Sequence, residues 1–349
     1  MAVVKKLSVQ HIRSHDDFVL EPSPTVTVIT GQNGSGKTSL IEAIYVALQG
    51  TSFKGVDSDM LRTSYSWWRI DLELVDGSKR TISYDSELTG SRKKFVIDDH
   101  IMYRLPLKYK HPVVLFEPDD LRLLNGSPTR RRQFIDRFIS QLDVEYGIAL
   151  RKYERALKQR NNLLKKSHID PDQLFVWNVA LSEYGAYIIE KRVVFIEKIN
   201  GELNGAYNEI APGGDQVSVH YSHTFIGDIK QKLMSELDRA SERDKVVGST
   251  SVGPHRHDVE FLFNGSPATT SASRGEVRTI ILALKFLEVD IIERITNIKP
   301  IILLDDVFSE LDASRQKSLS DHVRAHQIII TSTHVLPGSK NYKHITLTD

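Results

Sequence analysis

Between an apolar run, TVTVIT at 25–30, and a helix-patterned stretch, SLIEAIYVAL at 39–48, stands GQNGSGKTS, residues 31–39. It matches G-x-x-x-x-G-K-[ST] through Gly31, Gly36, Lys37 and Thr38. Glycines let successive backbone N–H groups turn toward a β-phosphate, and the following helix N-terminus adds its dipole. Lys37 is placed to reach the β/γ oxygens and the Thr38 hydroxyl to ligate Mg²⁺. Context decides the matter, because Leu40, Ile41, Ile44, Ala47 and Leu48 fall on one helical face. Gly31, Gln32, Asn33, Gly34, Ser35, Gly36, Lys37, Thr38 and Ser39 are therefore the expected ATP-binding segment.

A nucleotide fold of this kind needs a buried strand ending in acid, and PIILLDD, 300–306, supplies one. Asp305 would hold the Mg²⁺ shell with Thr38, and Asp306 could polarise the attacking water. Asp305 lies 268 residues beyond Lys37, so something large is inserted in the nucleotide fold. Residues 130–210 read as helix, with Phe134, Phe138, Leu142, Tyr146, Leu150, Tyr153 and Leu157 at intervals of three or four. A break at KKSHIDPD precedes a second series through Leu174, Trp177, Leu181, Tyr184 and Ile188. The expected arrangement is an antiparallel helical hairpin. Residues 3–100 read mainly as strands: Ile70, Leu72 and Leu74 alternate with acids before an Asp76-Gly77 turn. The chain is expected to divide into 1–110 and 246–349, forming an α/β head, and 111–245, a helical arm.

With 40% hydrophobic and 26% charged residues, the composition is that of an ordinary globular chain. The absence of cysteine excludes disulfides and thiolate metal sites, and it fits a cytoplasmic protein. Neither a signal peptide nor a membrane span is expected. The net charge of +1 says little, but its distribution says more. RKYERALKQRNNLLKK, 151–166, carries Arg151, Lys152, Arg155, Lys158, Arg160, Lys165 and Lys166 against Glu154 alone, and Arg130, Arg131 and Arg132 precede it. Such an imbalance suggests a polyanion contacted through phosphates, with little base readout. Ser273 and Gly275 stand before another apolar-periodic helix. They form either a plain N-cap or a second anion cradle that closes on the nucleotide of another copy.

These residues, in this order, resemble the RecF family of DNA-repair ATPases, relatives of SMC proteins and ABC-type ATPase heads. The resemblance spans most of the chain: IRSH and GQNGSGKTSLIEAI, then FEPDDLRLLNGSPTRRRQFIDRFI, TSVGPHRHDVEFLFNG, SRGEVRTIILALK and LLDDVFSELD. It implies an α/β ABC-type P-loop ATPase head, a mixed sheet with helices, carrying an inserted and mostly helical arm. It also implies ATP and Mg²⁺ as cofactors and weak, DNA-stimulated hydrolysis. An ATP-dependent homodimer on duplex and gapped DNA is expected, with RecR and RecO as partners and no membrane. Ser273 would then act in trans beside the catalytic Lys37 and Asp306, with Gly275 and Asp312 contacting the partner's nucleotide. Arg13 would turn toward the bound nucleotide. In the signature core, Arg274, Glu276 and Val277 replace the family's three glutamines. Thr333 and His334 both qualify as the switch residue.

Rival readings are weaker. A transporter subunit would have its loop and acidic strand ~100 residues closer, without an arm between them. A nuclease head would need a metal domain after the acidic strand, where only 43 residues remain. An SMC-like structural clamp would need a hinge and a coiled coil far longer than an arm of about 80 residues. The run His255, Arg256, His257, Asp258 looks like metal ligands, but adjacent strand residues face opposite sides.

Overall fold

Much of the first hundred residues forms strands, and over 67–74 and 79–85 every second side chain is buried. In the computed structural model, which describes residues 3–166, 168–223, 225, 227–334 and 342–347, β1 (Val4–Ile12) and β2 (His15–Leu20) form a hairpin. Next come β3 (Val26–Thr30) and α1 (Lys37–Gln49), then β4 (Trp67–Leu74), β5 (Lys79–Asp85), β6 (Lys93–Ile97) and β7 (His100–Met102). Strands β2-β1-β4-β5-β6-β7 make one antiparallel sheet. Gly77, at φ 87°, turns β4 into β5 where a side chain would be strained. Of the adjacent tryptophans on β4, Trp68 is buried and Trp67 is 37% exposed.

The chain continues through β8 (Val113–Phe116), α2 (Pro128–Leu142), α3 (Val144–Leu164) and the 40-residue α4 (Pro171–Ile210). Then follow β9 (Val217–Ser222), α5 (Ile229–Arg239), α6 (Ser241–Val247), β10 (Asp258–Phe263), β11 (Ser266–Pro267) and α7 (Ala268–Ser271). The last elements are α8 (Arg274–Thr296), β12 (Ile301–Asp305), α9 (Ala313–His322), β13 (Ile328–Ser332) and β14 (Lys343–Thr346). Strands β14-β3-β13-β12-β8 form a second sheet, parallel at every pairing. Of its three inner strands, β12 and β13 are buried along their whole length and β3 at all but Val26, as a parallel sheet covered on both faces requires.

Two compact units result, 1–121 with 288–349, and 122–287. These limits differ from the expected boundaries at 110/111 and 245/246. Pairing of β8 with β12 draws residues 111–121 into the first unit. Pairing of β10 with β9 keeps residues 246–287 in the second. The first unit's core gathers Leu7, Ile12, Leu40, Ile44, Ile70, Leu303 and Ile329 around α1. Every residue of α1 except Thr38 is buried, where the sequence suggested one apolar face. Ala43, Tyr45 and Val46 fill the remaining sides.

In the second unit α3 and α4 are joined by a short connection and pack together. Ser127, Asp143 and Asp170 cap α2, α3 and α4 through their side chains, and prolines open α2 and α4. Asn264 and Gly265, both at positive φ, turn β10 into β11. Arg192 is buried and ion-paired to Asp136 at 2.8 Å. It also donates to the Tyr221 hydroxyl at 3.1 Å and the Pro254 carbonyl at 2.8 Å.

Three histidines are held neutral mainly by burial. His111 and His255 are each pushed down to about 4, and His257 to about 3. Unfolded, each would take a proton near pH 6.5, so stability present above that value is lost as pH falls. The melting temperature should therefore drop between pH 7 and pH 5, before most carboxylates titrate. A flat profile across that range would contradict the buried neutral histidines.

Candidate functional site

The loop after β3 is shaped by what cannot fit beside it. A Cβ on Gly36, at φ 93°, would lie 2.2 Å from Ser14 Oγ and 2.3 Å from His15 Nε2. His15 Nε2 also meets the Gly36 carbonyl at 3.1 Å. Gly34 shares the left-handed conformation at φ 91°. Gln32, Asn33 and Gly34 are exposed, whereas Gly31, Ser35 and Gly36 are half-buried. Lys37 is 4% exposed, and its ammonium donates to the carbonyls of Gly31 and Gln32, each at 2.9 Å. The cation thus lies under a loop whose amides start a helix, an arrangement suited to a phosphate chain.

Parallel pairing brings the distant acids to this loop. Thr38 Oγ1 donates to Asp305 Oδ1 at 2.8 Å across 267 residues of sequence. A hydroxyl and a carboxylate side by side are hard oxygen donors of the kind Mg²⁺ takes. The residues therefore fit Mg²⁺, which would supply charge neutralisation at the phosphates. Asp306 sits at φ 53°, and burial raises its carboxyl above the usual range while the Lys37 charge opposes that rise. Ser39 is buried behind the loop.

Three residues that sequence reasoning missed complete the surroundings. The buried Thr331 hydroxyl contacts Asp305 Oδ1 at 2.9 Å. Lys54 Nζ stands 3.9 Å from Asp305 Oδ2. Glu42, fully buried on α1, pairs with Arg13 Nη2 at 2.8 Å and accepts from Ser52 Oγ at 2.5 Å. Ser52 Oγ in turn accepts from the amide of Lys54 at 2.9 Å, so Glu42 links Arg13 to the Lys54 turn. An acid amid the apolar residues of IEAIYVAL was the available signal for Glu42. Arg13 itself, at φ 47°, is also tied to the Asp59 carbonyl at 3.2 Å.

The remaining expected site residues fall elsewhere. Ser273 and Glu276 form a reciprocal capping box at the start of α8. Ser273 Oγ accepts from the Glu276 amide at 3.3 Å, and Glu276 Oε2 accepts from the Ser273 amide at 2.6 Å. Gly275 lies in the same turn, partly exposed. Asp312 caps α9, accepting from the Arg315 amide at 3.0 Å. Thr333 is half-buried and His334 exposed after β13.

The basic residues divide sharply. Arg151, Lys152, Arg155, Lys158, Lys165 and Lys166 are exposed, and 151, 155 and 158 recur on one helical stripe. Lys152 Nζ also rests 5.3 Å from the centre of the Tyr184 ring. Arg160, expected on DNA, is instead completely buried. Its guanidinium donates to Asn178 Oδ1 at 2.7 Å, Asp244 Oδ2 at 2.8 Å and Thr250 Oγ1 at 2.8 Å. It falls on the inward stripe with Tyr153, Ala156 and Leu163, which composition alone conceals. Arg131 is likewise engaged, pairing bidentately with Asp258 at 2.9 and 2.7 Å. Arg132 donates to the His257 carbonyl at 2.6 Å, and Arg130 is partly exposed.

A phosphate loop, a hydroxyl–carboxylate pair and an inserted helical arm define an ABC-type P-loop ATPase head. Residues 6–176 match the family described as AAA domain. Over 345 residues the chain is 32% identical to the "DNA replication and repair protein RecF" of Lachnoclostridium phytofermentans, covering 95% of this chain and 92% of that one. It is 34% identical to the protein so named in Streptococcus suis, covering 98% and 97%. A solved structure described as "Structure of the recombination mediator protein RecF-ATP in RecFOR pathway" aligns with TM-score 0.86 and 30% identity, over 96% of this chain and 93% of its own. The chain belongs to the RecF family of DNA replication and repair proteins.

The contrast between Arg160 and its exposed neighbours is measurable. Arg160→Ala strips the buried Asp244 of its cation and should cost ~3–5 kcal/mol of unfolding free energy. Lys158→Ala should change it by under ~0.5 kcal/mol. Urea titration of both variants decides, and equal small losses would put Arg160 back on the surface.

Proposed function

We propose that this protein is an ATP-dependent DNA-binding ATPase of recombinational repair and replication. ATP joins two copies around duplex DNA near single-strand gaps, where the dimer helps to load recombinase, and slow, DNA-stimulated hydrolysis releases it. The observation that carries this reading is the Thr38–Asp305 contact at 2.8 Å, directly beside the buried Lys37. Lys37 and the loop amides hold the phosphates, and Thr38 with Asp305 holds Mg²⁺. Asp306 follows the metal ligand and polarises the attacking water.

Ser273 and Gly275 of one copy would take the γ-phosphate held by the other, with Asp312 beside them. In this chain Glu276 already occupies that helix start, so its carboxylate has to swing aside when a phosphate arrives. ADP lacks the bridging phosphate and should leave monomers. Arg151, Lys152, Lys158, Lys165 and Lys166, with Arg130, would meet DNA phosphates, a role from which the buried Arg160, the paired Arg131 and Arg132, which donates to His257 and Thr129, are withdrawn. Among the described residues no helix is long and apolar enough to cross a membrane. The setting proposed is the cytoplasm, with RecO and RecR as partners, following the RecFOR pathway named for the similar solved structure.

Duplex binding measured against salt, with ATP and with ADP, tests the reading. ATP should raise both affinity and molecular mass. Replacing Lys158, Lys165 and Lys166 by Ala should lower the log–log salt slope by roughly 0.9 per lost phosphate contact. An unchanged slope, or equal binding with ADP, would contradict the clamp.

A further inference from the structure

We infer that Thr331 is a positioning residue for ATP hydrolysis, its hydroxyl fixing both acids at the end of β12. The inference rests on the assignment of Asp306 as the group that polarises water. Thr331 stands on β13, directly opposite Asp305 in the parallel register. It is fully buried, so water cannot substitute for its hydroxyl. Its proton goes to Asp305 Oδ1 at 2.9 Å, and its lone pair accepts the Asp306 amide at 2.9 Å. The Leu304 carbonyl, at 3.4 Å, is the poorer acceptor.

One hydroxyl therefore joins the side chain of one acid to the backbone of the next. The second acid needs that hold, because Asp306 lies at φ 53°, a left-handed conformation that non-glycine residues keep only where neighbouring bonds impose it. The direction of the Asp306 carboxyl follows from that backbone. The first acid benefits too: Asp305 Oδ1 takes hydroxyls from both Thr38 and Thr331. If Thr38 releases Asp305 to share a metal, the Thr331 bond still orients the carboxylate. The Thr331 hydroxyl is taken up by these two acids, so Thr331 should affect turnover while leaving nucleotide affinity largely intact.

The discriminating pair is Thr331→Val, which keeps the shape and loses the hydroxyl, and Thr331→Ser, which keeps the hydroxyl. Full-length protein should be assayed for ATP affinity, kcat and melting temperature, with Asp306→Asn alongside. Thr331→Val should lower kcat by roughly tenfold or more while holding ATP affinity within about threefold. Thr331→Ser should recover turnover to within about threefold of the original protein. A Thr331→Val protein that turns over normally while Asp306→Asn is inactive overturns the role of Thr331 alone. Equal damage from Val and Ser, or parallel loss of affinity, turnover and melting temperature, also overturns it by making Thr331 merely structural. Normal hydrolysis by Asp306→Asn removes the site assignment and the inference with it.

Discussion

The site depends on parallel pairing between the two ends of the chain. β3 lies beside β13, and β13 beside β12, so the strand that feeds the phosphate loop and the strand that ends in acid are fixed in register. Gln327 reinforces the junction. Its amide oxygen accepts from Val4 N at 2.7 Å, and its amide nitrogen donates to the carbonyls of Val4 and Ser23, both at 2.8 Å. Such bonds in a buried setting are costly to leave unmade, so local separation of the ends is penalised. Contact between Thr38 and Asp305 follows from this closure. Everything between, including the helical arm, can be long without disturbing the site, because loop closure costs rise only slowly with length.

The same closure explains what could be read from the residues alone. The loop, the acidic strand and the helical insertion each carry a local pattern, although the limits of the insertion follow from strand pairings that no local pattern shows. Thr331 and Lys54 carry none. They matter through their neighbours on an adjacent strand and turn, which no spacing reveals. Glu42 was half legible, since an acid inside an apolar helix signals a buried partner, although that partner, Arg13, came only through the family resemblance.

Arg160 shows the opposite failure. A basic composition was read as one surface, yet a helix turns about 100° per residue and a run of seven cations cannot all face out. The stripe that faces in carries Arg160, which joins α3 to α4 and α6 through Asn178 and Asp244. A buried cation with three good hydrogen bonds specifies how those helices meet, at the cost of withdrawing one charge from the surface. Ser273 is similar in kind: its helix start is open to a phosphate by pattern, and filled by the chain's own Glu276 in the structure.

The central claim is that a single phosphate and Mg²⁺ site is assembled from both chain ends around Lys37, Thr38 and Asp305. Calorimetric titration of ATP, with and without Mg²⁺, into the original protein and into Lys37→Ala tests it most directly. The account predicts Mg²⁺-dependent binding to the original protein and its loss when the buried ammonium is removed. Undiminished ATP affinity in Lys37→Ala would contradict it.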